Sequence, residues 1–284
     1  MRLRRALVLG AASLAAAGSL LAGTAPAHAA PAEAAPALAA RAVTLASTIK
    51  LSNCSAALVR YPNSVSSDRA MMLTNGHCYE RGFIPAGQVV QNRASSRSGT
   101  LLDSTGGALG TLRADRVLYA TMTGTDVTLY RLTSTYASIQ SRYGATALTL
   151  SSTRPAPGSS MTIPSSYWKR IWNCKVDTFV DTLREDQWTW RDSIRYDSAC
   201  DTIHGTSGSP IVDDSTGRIV GINNTGNDDG EMCTLNNPCE VAADGTTRAY
   251  QGQSYGQQTY WFTTCLTSSR AIDLNLPGCL LTKP

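Results

Sequence analysis

Residues 201–210 read Asp-Thr-Ile-His-Gly-Thr-Ser-Gly-Ser-Pro, which sets Ser207 between Thr206 and Gly208 with Gly205 two positions earlier. Small residues around a serine let the backbone turn sharply. They can bring the N–H groups of Gly205 and Ser207 to one point, where they suit the oxyanion formed when a hydroxyl attacks a carbonyl. A serine hydroxyl is a weak nucleophile until a base takes its proton. His77, in Leu73-Thr74-Asn75-Gly76-His77-Cys78, has the right chemistry, because an imidazole exchanges protons near neutral pH. Asp126, in Gly124-Thr125-Asp126-Val127-Thr128-Leu129, opens an apolar run. A carboxylate entering a buried strand costs free energy unless it is hydrogen-bonded, and the imidazole N–H of His77 would satisfy it. Each segment alone also reads as something plainer: a Gly/Ser turn, a structural histidine, a turn-initiating aspartate. Taken together they supply a nucleophile, a base and an orienter for acyl transfer.

The elements that must position these groups are strands. Short apolar or alternating runs cover Ser55–Arg60, Ala70–Leu73, Arg116–Thr121, Val127–Leu132 and Ala147–Leu150. After a Pro/Gly-rich linker at Ser151–Ser160 they resume at Met161–Pro164, Lys175–Leu183, Trp188–Tyr196, Pro210–Val212 and Arg218–Ile222. Many short strands between turn residues mark an all-β fold, and no long 3.6-residue periodicity competes. Trp188 and Trp190 alternate with polar residues and read as core or cross-strand partners. No internal repeat is present. The pattern divides the chain into β-rich halves at 46–150, holding His77 and Asp126, and 151–284, holding Ser207.

The three motifs together resemble the chymotrypsin-like serine proteases. Thr74-Asn75-Gly76-His77-Cys78 is similar to the family's histidine motif, Gly124–Leu132 to its aspartate motif and Gly205–Pro210 to its serine motif. The chain order His, Asp, Ser, with separations of 49 and 81 residues, is also of the family's kind, and the resemblance runs from about Ser52 to about Thr264. It implies two six-stranded antiparallel β-barrels with the active site in the cleft between them. It also implies peptide-bond hydrolysis through an acyl-enzyme, with His77, Asp126 and Ser207 as the triad and Gly205 and Ser207 as the oxyanion hole. The substrate would be a peptide or protein, and no cofactor or metal is needed. A relative that binds peptides in the same cleft without cutting them is the alternative, although all three triad members are present.

Departures from the family bear on substrate choice. Thr206 stands where the animal enzymes carry an Asp that pairs with a newly cut N-terminus, so activation by that salt bridge is not expected. A non-acidic residue before the serine, and Thr202 five residues before it, resemble the bacterial glutamyl-endopeptidase branch. That branch uses a Gly-Ile-His sequence to hold an acidic side chain, but Val220-Gly221-Ile222-Asn223 carries Asn there, followed by Asn224. Asp201, six residues before Ser207, falls where trypsin-like enzymes place the carboxylate at the base of the pocket, which would select Lys or Arg before the scissile bond. The implied substrate-binding set is Asp201, Thr202, His204, Asn223 and Asn224. The family's histidine-loop disulfide implies Cys54–Cys78. Cys233–Cys239 and Cys265–Cys279 are expected from proximity in sequence, and Cys174–Cys200 follows by elimination.

The chain of 284 residues is 42% hydrophobic, which excludes disorder, and only 16% charged. Arg2, Arg4 and Arg5 precede an apolar run from Ala6 to about Ala22, and Ala27-His28-Ala29 then offers small residues for cleavage. Residues 1–29 therefore read as a secretory signal, and 30–45 as a propeptide or flexible segment. Without those three arginines, 22 basic residues face 21 acidic ones, a near-neutral balance that excludes the footprint of a nucleic-acid binder. No later apolar stretch is long enough to cross a membrane, so a secreted, extracellular monomer is expected. All eight cysteines lie downstream of the signal, and an even count in an exported chain reads as disulfides. With no Cys-x-x-Cys pair, and only His77 and His204 remaining in the mature chain, a zinc site is not expected. The acidic stretch Asn227–Glu231 lacks the spacing of an EF-hand loop and reads as a solvated loop.

Overall fold

The computed structural model describes residues 42–284, so the expected signal and all but the last residues of the 30–45 segment lie outside the described residues. Alternation is the rule that builds the fold. In Trp188–Tyr196 the side chains of Trp188 and Trp190 turn inward while Thr189 and Arg191 face solvent. The phase then slips at Asp192, whose φ of 53° lies in the left-handed region. One residue in that conformation twists the strand and resets which face is buried.

The first half supplies β1 (Thr48–Lys50), β2 (Ser55–Arg60), β3 (Arg69–Thr74), β4 (Val89–Ala94), β5 (Ser98–Leu102), β6 (Ala108–Thr121), β7 (Val127–Thr135) and β8 (Leu148–Thr149). Antiparallel pairing runs β1-β5-β6-β7-β3-β2 and returns from β2 to β1, which closes a six-stranded barrel. β4 pairs with part of β6, and β8 lies parallel to β2. The second half supplies β9 (Ser160–Ser165), β10 (Arg170–Glu185), β11 (Trp188–Tyr196), β12 (Pro210–Asp213), β13 (Ile219–Gly226), β14 (Cys239–Val241), β15 (Thr247–Ala249) and β16 (Ser254–Gln258). Its strands run β11-β16-β13-β12-β9-β10 and meet again through β10–β11, with β14 and β15 hanging from β10. Closure leaves neither ring with a long unpaired edge.

The sequence patterning shows no helix, yet Tyr136–Tyr143 forms one, α1. The Thr135 side chain accepts from Ser138 N–H at its start, and Gly144, at φ 67°, ends it. Only Tyr136 and Ile139 of this short helix are buried, too few positions to write a helical period.

The two rings are fastened by the β10–β11 hairpin. Trp188 Nε1 donates to Ile84 O at 2.9 Å and Trp190 Nε1 to Met122 O at 2.9 Å, while both indoles pack into the core cluster of the first ring. Backbone bonds from Gly124 N to Thr189 O and from Arg191 N to Gly124 O, each 2.9 Å, complete the seam. A second cluster joins Leu73 and Leu129 of the first ring to Val212, Ile222 and Phe262. The eight cysteines are joined as Cys54–Cys78, Cys174–Cys200, Cys233–Cys239 and Cys265–Cys279.

Candidate active site

The end of β3 carries the imidazole to the seam. Thr74 Oγ1 donates to Ser55 O at 2.8 Å, and Asn75 Nδ2 donates to Asp126 O at 3.0 Å. A tight turn follows, with Cys78 bonded to Cys54 in the loop before β2. Asp126, one residue before β7, is completely buried. Its Oδ1 accepts from the His77 backbone N–H at 3.0 Å, and its Oδ2 accepts from His77 Nδ1 at 2.7 Å. These bonds offset the cost of removing a carboxylate from water. They also place the ring proton on Nδ1 and leave the Nε2 lone pair free.

Ser207 reaches the same place from the second ring, on the turn before β12. Ser55 N–H donates to Ser207 O at 2.8 Å, pinning the turn to the opposite barrel. Gly208 has φ 77°, and a Cβ built on it would stand 2.1 Å from Ser55 O and 2.2 Å from Thr74 Oγ1. Only glycine fits there. Gly208→Ala should destabilise the fold by about 3 kcal/mol or more, through strain and backbone overlap together. Differential scanning calorimetry against the parent chain measures it, and an unchanged Tm would show that the turn is not held as described.

Within this turn the N–H groups of Thr206, Gly208 and Ser209 donate to the carbonyls of Ile203, Asn223 and Thr206. Those of Gly205 and Ser207 have no acceptor among the described residues. The Ser207 hydroxyl donates to Asn224 O at 3.2 Å and not to His77.

All of these groups open into one cavity of about 370 Å³ between the rings. His77, Asp126, Gly205, Ser207, Thr202, His204, Asn223 and Asn224 line it. Asn223 Oδ1 accepts from the buried Tyr196 hydroxyl at 3.1 Å, whereas the buried amide of Asn224 has no partner among the described residues. His204 stands exposed at the rim, its Nε2 2.5 Å from Asp228 Oδ2.

Asp201 requires a correction. It is exposed and does not line the cavity. Its neighbour Cys200 is bonded to Cys174 on β10, and its carbonyl accepts from Trp172 Nε1 at 3.1 Å, so the main chain here is anchored while the carboxylate stays in water. The expectation of a carboxylate at the base of a pocket formed by Asp201 fails for that reason. The donor atoms of Cys54, His77 and Cys78 also lie within 4.8 Å of one another, but both sulfurs belong to a disulfide and offer no thiolate to a metal.

Sequence reasoning missed Glu185, Phe83, Leu235, Asn236 and Asp228, which also line the cleft. For Glu185 a signal existed: it sits in phase with the buried Leu183 at the end of β10, a carboxylate in an apolar position. Burial holds the Glu185 carboxyl above the ordinary carboxylate range, against the opposing pull of hydrogen bonds from Thr225 and Asn236 and of nearby His77. Burial pulls the His77 imidazole down. The charge and hydrogen bond of Asp126, helped by the charge of Glu185, outweigh that and leave it above its ordinary value.

The sequence profile of the trypsin-like peptidase domain matches residues 61–222, more than half of the chain. No curated protein matches it. Among solved structures it is similar to the MamO protease domain of Magnetospirillum magneticum, at 14% identity over 79% of this chain and 98% of that one, with a TM-score of 0.49. It is also similar to the serine endoprotease of Yersinia pestis, at 11% identity over 78% and 62%, TM-score 0.47. Nocardiopsis protease is similar at 16% identity over 75% and 90%, TM-score 0.41. The profile spans β3 and β7, the histidine turn, the buried aspartate and the serine turn, and on that match the chain belongs to the trypsin-like peptidase family.

Proposed function

We propose that this peptidase is a secreted serine endopeptidase that cuts peptide bonds with Ser207 as nucleophile, His77 as general base and then acid, and Asp126 as orienter. The observation that carries the reading is the 2.7 Å contact from His77 Nδ1 to Asp126 in a cavity that also holds Ser207 and two unengaged N–H groups. The Ser207 hydroxyl turns about its Cα–Cβ bond from Asn224 O toward His77 Nε2 when substrate enters. Nε2 takes the proton as Oγ attacks the scissile carbonyl carbon. The Gly205 and Ser207 N–H groups receive the negative oxygen of the tetrahedral intermediate. The same proton passes from Nε2 to the leaving amine, and the C–N bond breaks to give the acyl-enzyme. A water then repeats the sequence, with its proton taken by Nε2 and returned to Ser207.

β13 offers a binding edge for the peptide. Its pairing with β12 stops at Ile222, so Asn224–Gly226 present an unpaired edge in the cleft wall. An extended peptide adds to such an edge through main-chain hydrogen bonds. Thr202, Asn224 and the rim residue His204 face the residue next to the scissile bond, with Asn223 held behind them by Tyr196. Export is supported by the signal-like N-terminus and by four disulfides, which persist in oxidising compartments. Among the described residues no helix is long and apolar enough to cross a membrane.

Digestion of a diverse peptide library by the purified protein, read by mass spectrometry beside Ser207→Ala, tests the reading. New termini that depend on Ser207 are expected. Peptide binding without any such termini would favour a non-cleaving peptide binder in the same cleft.

A further inference from the structure

Glu185 is 5% exposed at the end of β10, and it lines the substrate cleft rather than the core of either ring. Two donors fix its head: Thr225 Oγ1 at 2.6 Å on Oε2 and Asn236 N–H at 2.9 Å on Oε1. Asn236 is itself held by a built loop. The Cys233–Cys239 disulfide closes that loop, Asp186 N–H donates to Cys233 O at 2.8 Å, and Asp228 N–H donates to Asn236 O at 3.0 Å. The carboxylate is therefore rigidly presented, with lone pairs on both oxygens still unused.

No lysine or arginine among the described residues lines the cleft beside it. Among the described residues, the other acids lining this cleft have partners, Asp126 in His77 and Asp228 in His204, but Glu185 makes no ion pair. The arginine next to it in sequence, Arg184, turns away to Cys233 Sγ. A buried carboxylate without a cation is costly, and a protein that keeps one at a ligand site is arranged for a positive ligand.

The surroundings suit a long cationic side chain. Trp188 and the half-exposed Phe83 stand edge to face at 5.5 Å, and Leu235, 48% exposed, lines the same cleft. Such side chains cover the methylene stem of a lysine or arginine while its head reaches a carboxylate, and the rings attract the cation as well. Thr225, which holds Glu185, belongs to the stretch of β13 that is paired to β16 on one side and free on the other, so a peptide lying along that free edge passes over the carboxylate.

We propose that Glu185 is a specificity-determining residue of this cleft, selecting peptides that place a Lys or Arg side chain in the subsite formed by Glu185, Trp188, Phe83 and Leu235. This differs from a pocket built on Asp201, and it rests on the peptidase reading above.

The test is a set of peptides in which each position near the cut is varied among Lys, Arg, Gln and norleucine, with kcat/KM measured for the parent chain and for Glu185→Gln. At one position the parent should favour Lys or Arg over norleucine by about tenfold or more, the size of one charge-assisted hydrogen bond. Glu185→Gln should cut that ratio to about twofold or less, the ratio cancelling any change in turnover common to all peptides through His77, and an unchanged Tm by calorimetry shows that the variant folds. The parent's own preference is read independently of any variant. Three results would overturn the proposal: no position at which the parent favours a cation, a preference that survives Glu185→Gln, or an equal loss on all peptides. In each of these, Ser207-dependent cleavage would still stand. If no cleavage depends on Ser207, the peptidase mechanism fails and this subsite fails with it.

Discussion

Ser207→Ala should lower kcat on any peptide the protein cuts by about a millionfold, the cost seen when a triad that acts as a unit loses its nucleophile. Without Oγ no acyl-enzyme forms, and His77 and the two N–H groups have no covalent step to assist. A residual rate above that in water is expected, because binding and the oxyanion donors remain. The fold should be untouched. Ser207 Oγ makes a single hydrogen bond, 3.2 Å to Asn224 O, and the backbone bond from Ser55 N–H to Ser207 O does not depend on the side chain. Kinetics and calorimetry on one preparation separate the two effects. A large loss of Tm, or retained turnover, would contradict the role given to this serine.

Asp126→Asn should lower kcat by about 10⁴-fold at neutral pH while leaving peptide binding nearly intact. The carboxylate oxygen at 2.7 Å accepts the Nδ1 proton, whereas an amide can instead present N–H to the ring and force the proton to Nε2, where it blocks base action. The pH profile gives a second readout. His77 must be neutral to accept the Ser207 proton, so activity is lost as pH falls through its raised value, above the roughly 6.5 of a free imidazole. Removing the charge of Asp126 removes the main cause that raises it, so the acid limb of kcat/KM should move to lower pH. The same shift has a stability counterpart. A raised imidazole stabilises the folded state below its unfolded value, and that increment disappears as pH rises through the folded value. Equal kcat in both proteins, or an unmoved acid limb, would count against Asp126 as the orienter.

How much of this was legible in the sequence depends on the range over which each feature is written. His77, Asp126 and Ser207 sit in segments of about six residues whose local chemistry is self-contained: a turn beside a cysteine, a carboxylate ahead of an apolar run, a serine among glycines. The strands around them also follow from alternation, as Trp188 and Trp190 show. Asp201 misled because its place in a pocket depends on how the turn between Cys200 and Gly205 runs. That path is fixed by a disulfide and by the Trp172 indole, both remote in sequence. Glu185 escaped notice because β10 extends for sixteen residues and shifts register between Val176 and Thr178, so its phase is hard to follow to the end. Asn236, which anchors it, lies 51 residues away. Helix α1 was invisible for the opposite reason, being too short to repeat.

The central claim is that one serine is made nucleophilic by this geometry, and a serine-directed phosphonate tests it most directly. The purified protein is treated with the reagent, its intact mass recorded, and the modified residue located by peptide mapping. A single adduct on Ser207 is expected, with loss of all peptidase activity in proportion to labelling and greatly slowed labelling in Asp126→Asn. Activity that persists in fully labelled protein, or an adduct on another residue that alone abolishes activity, would contradict the account.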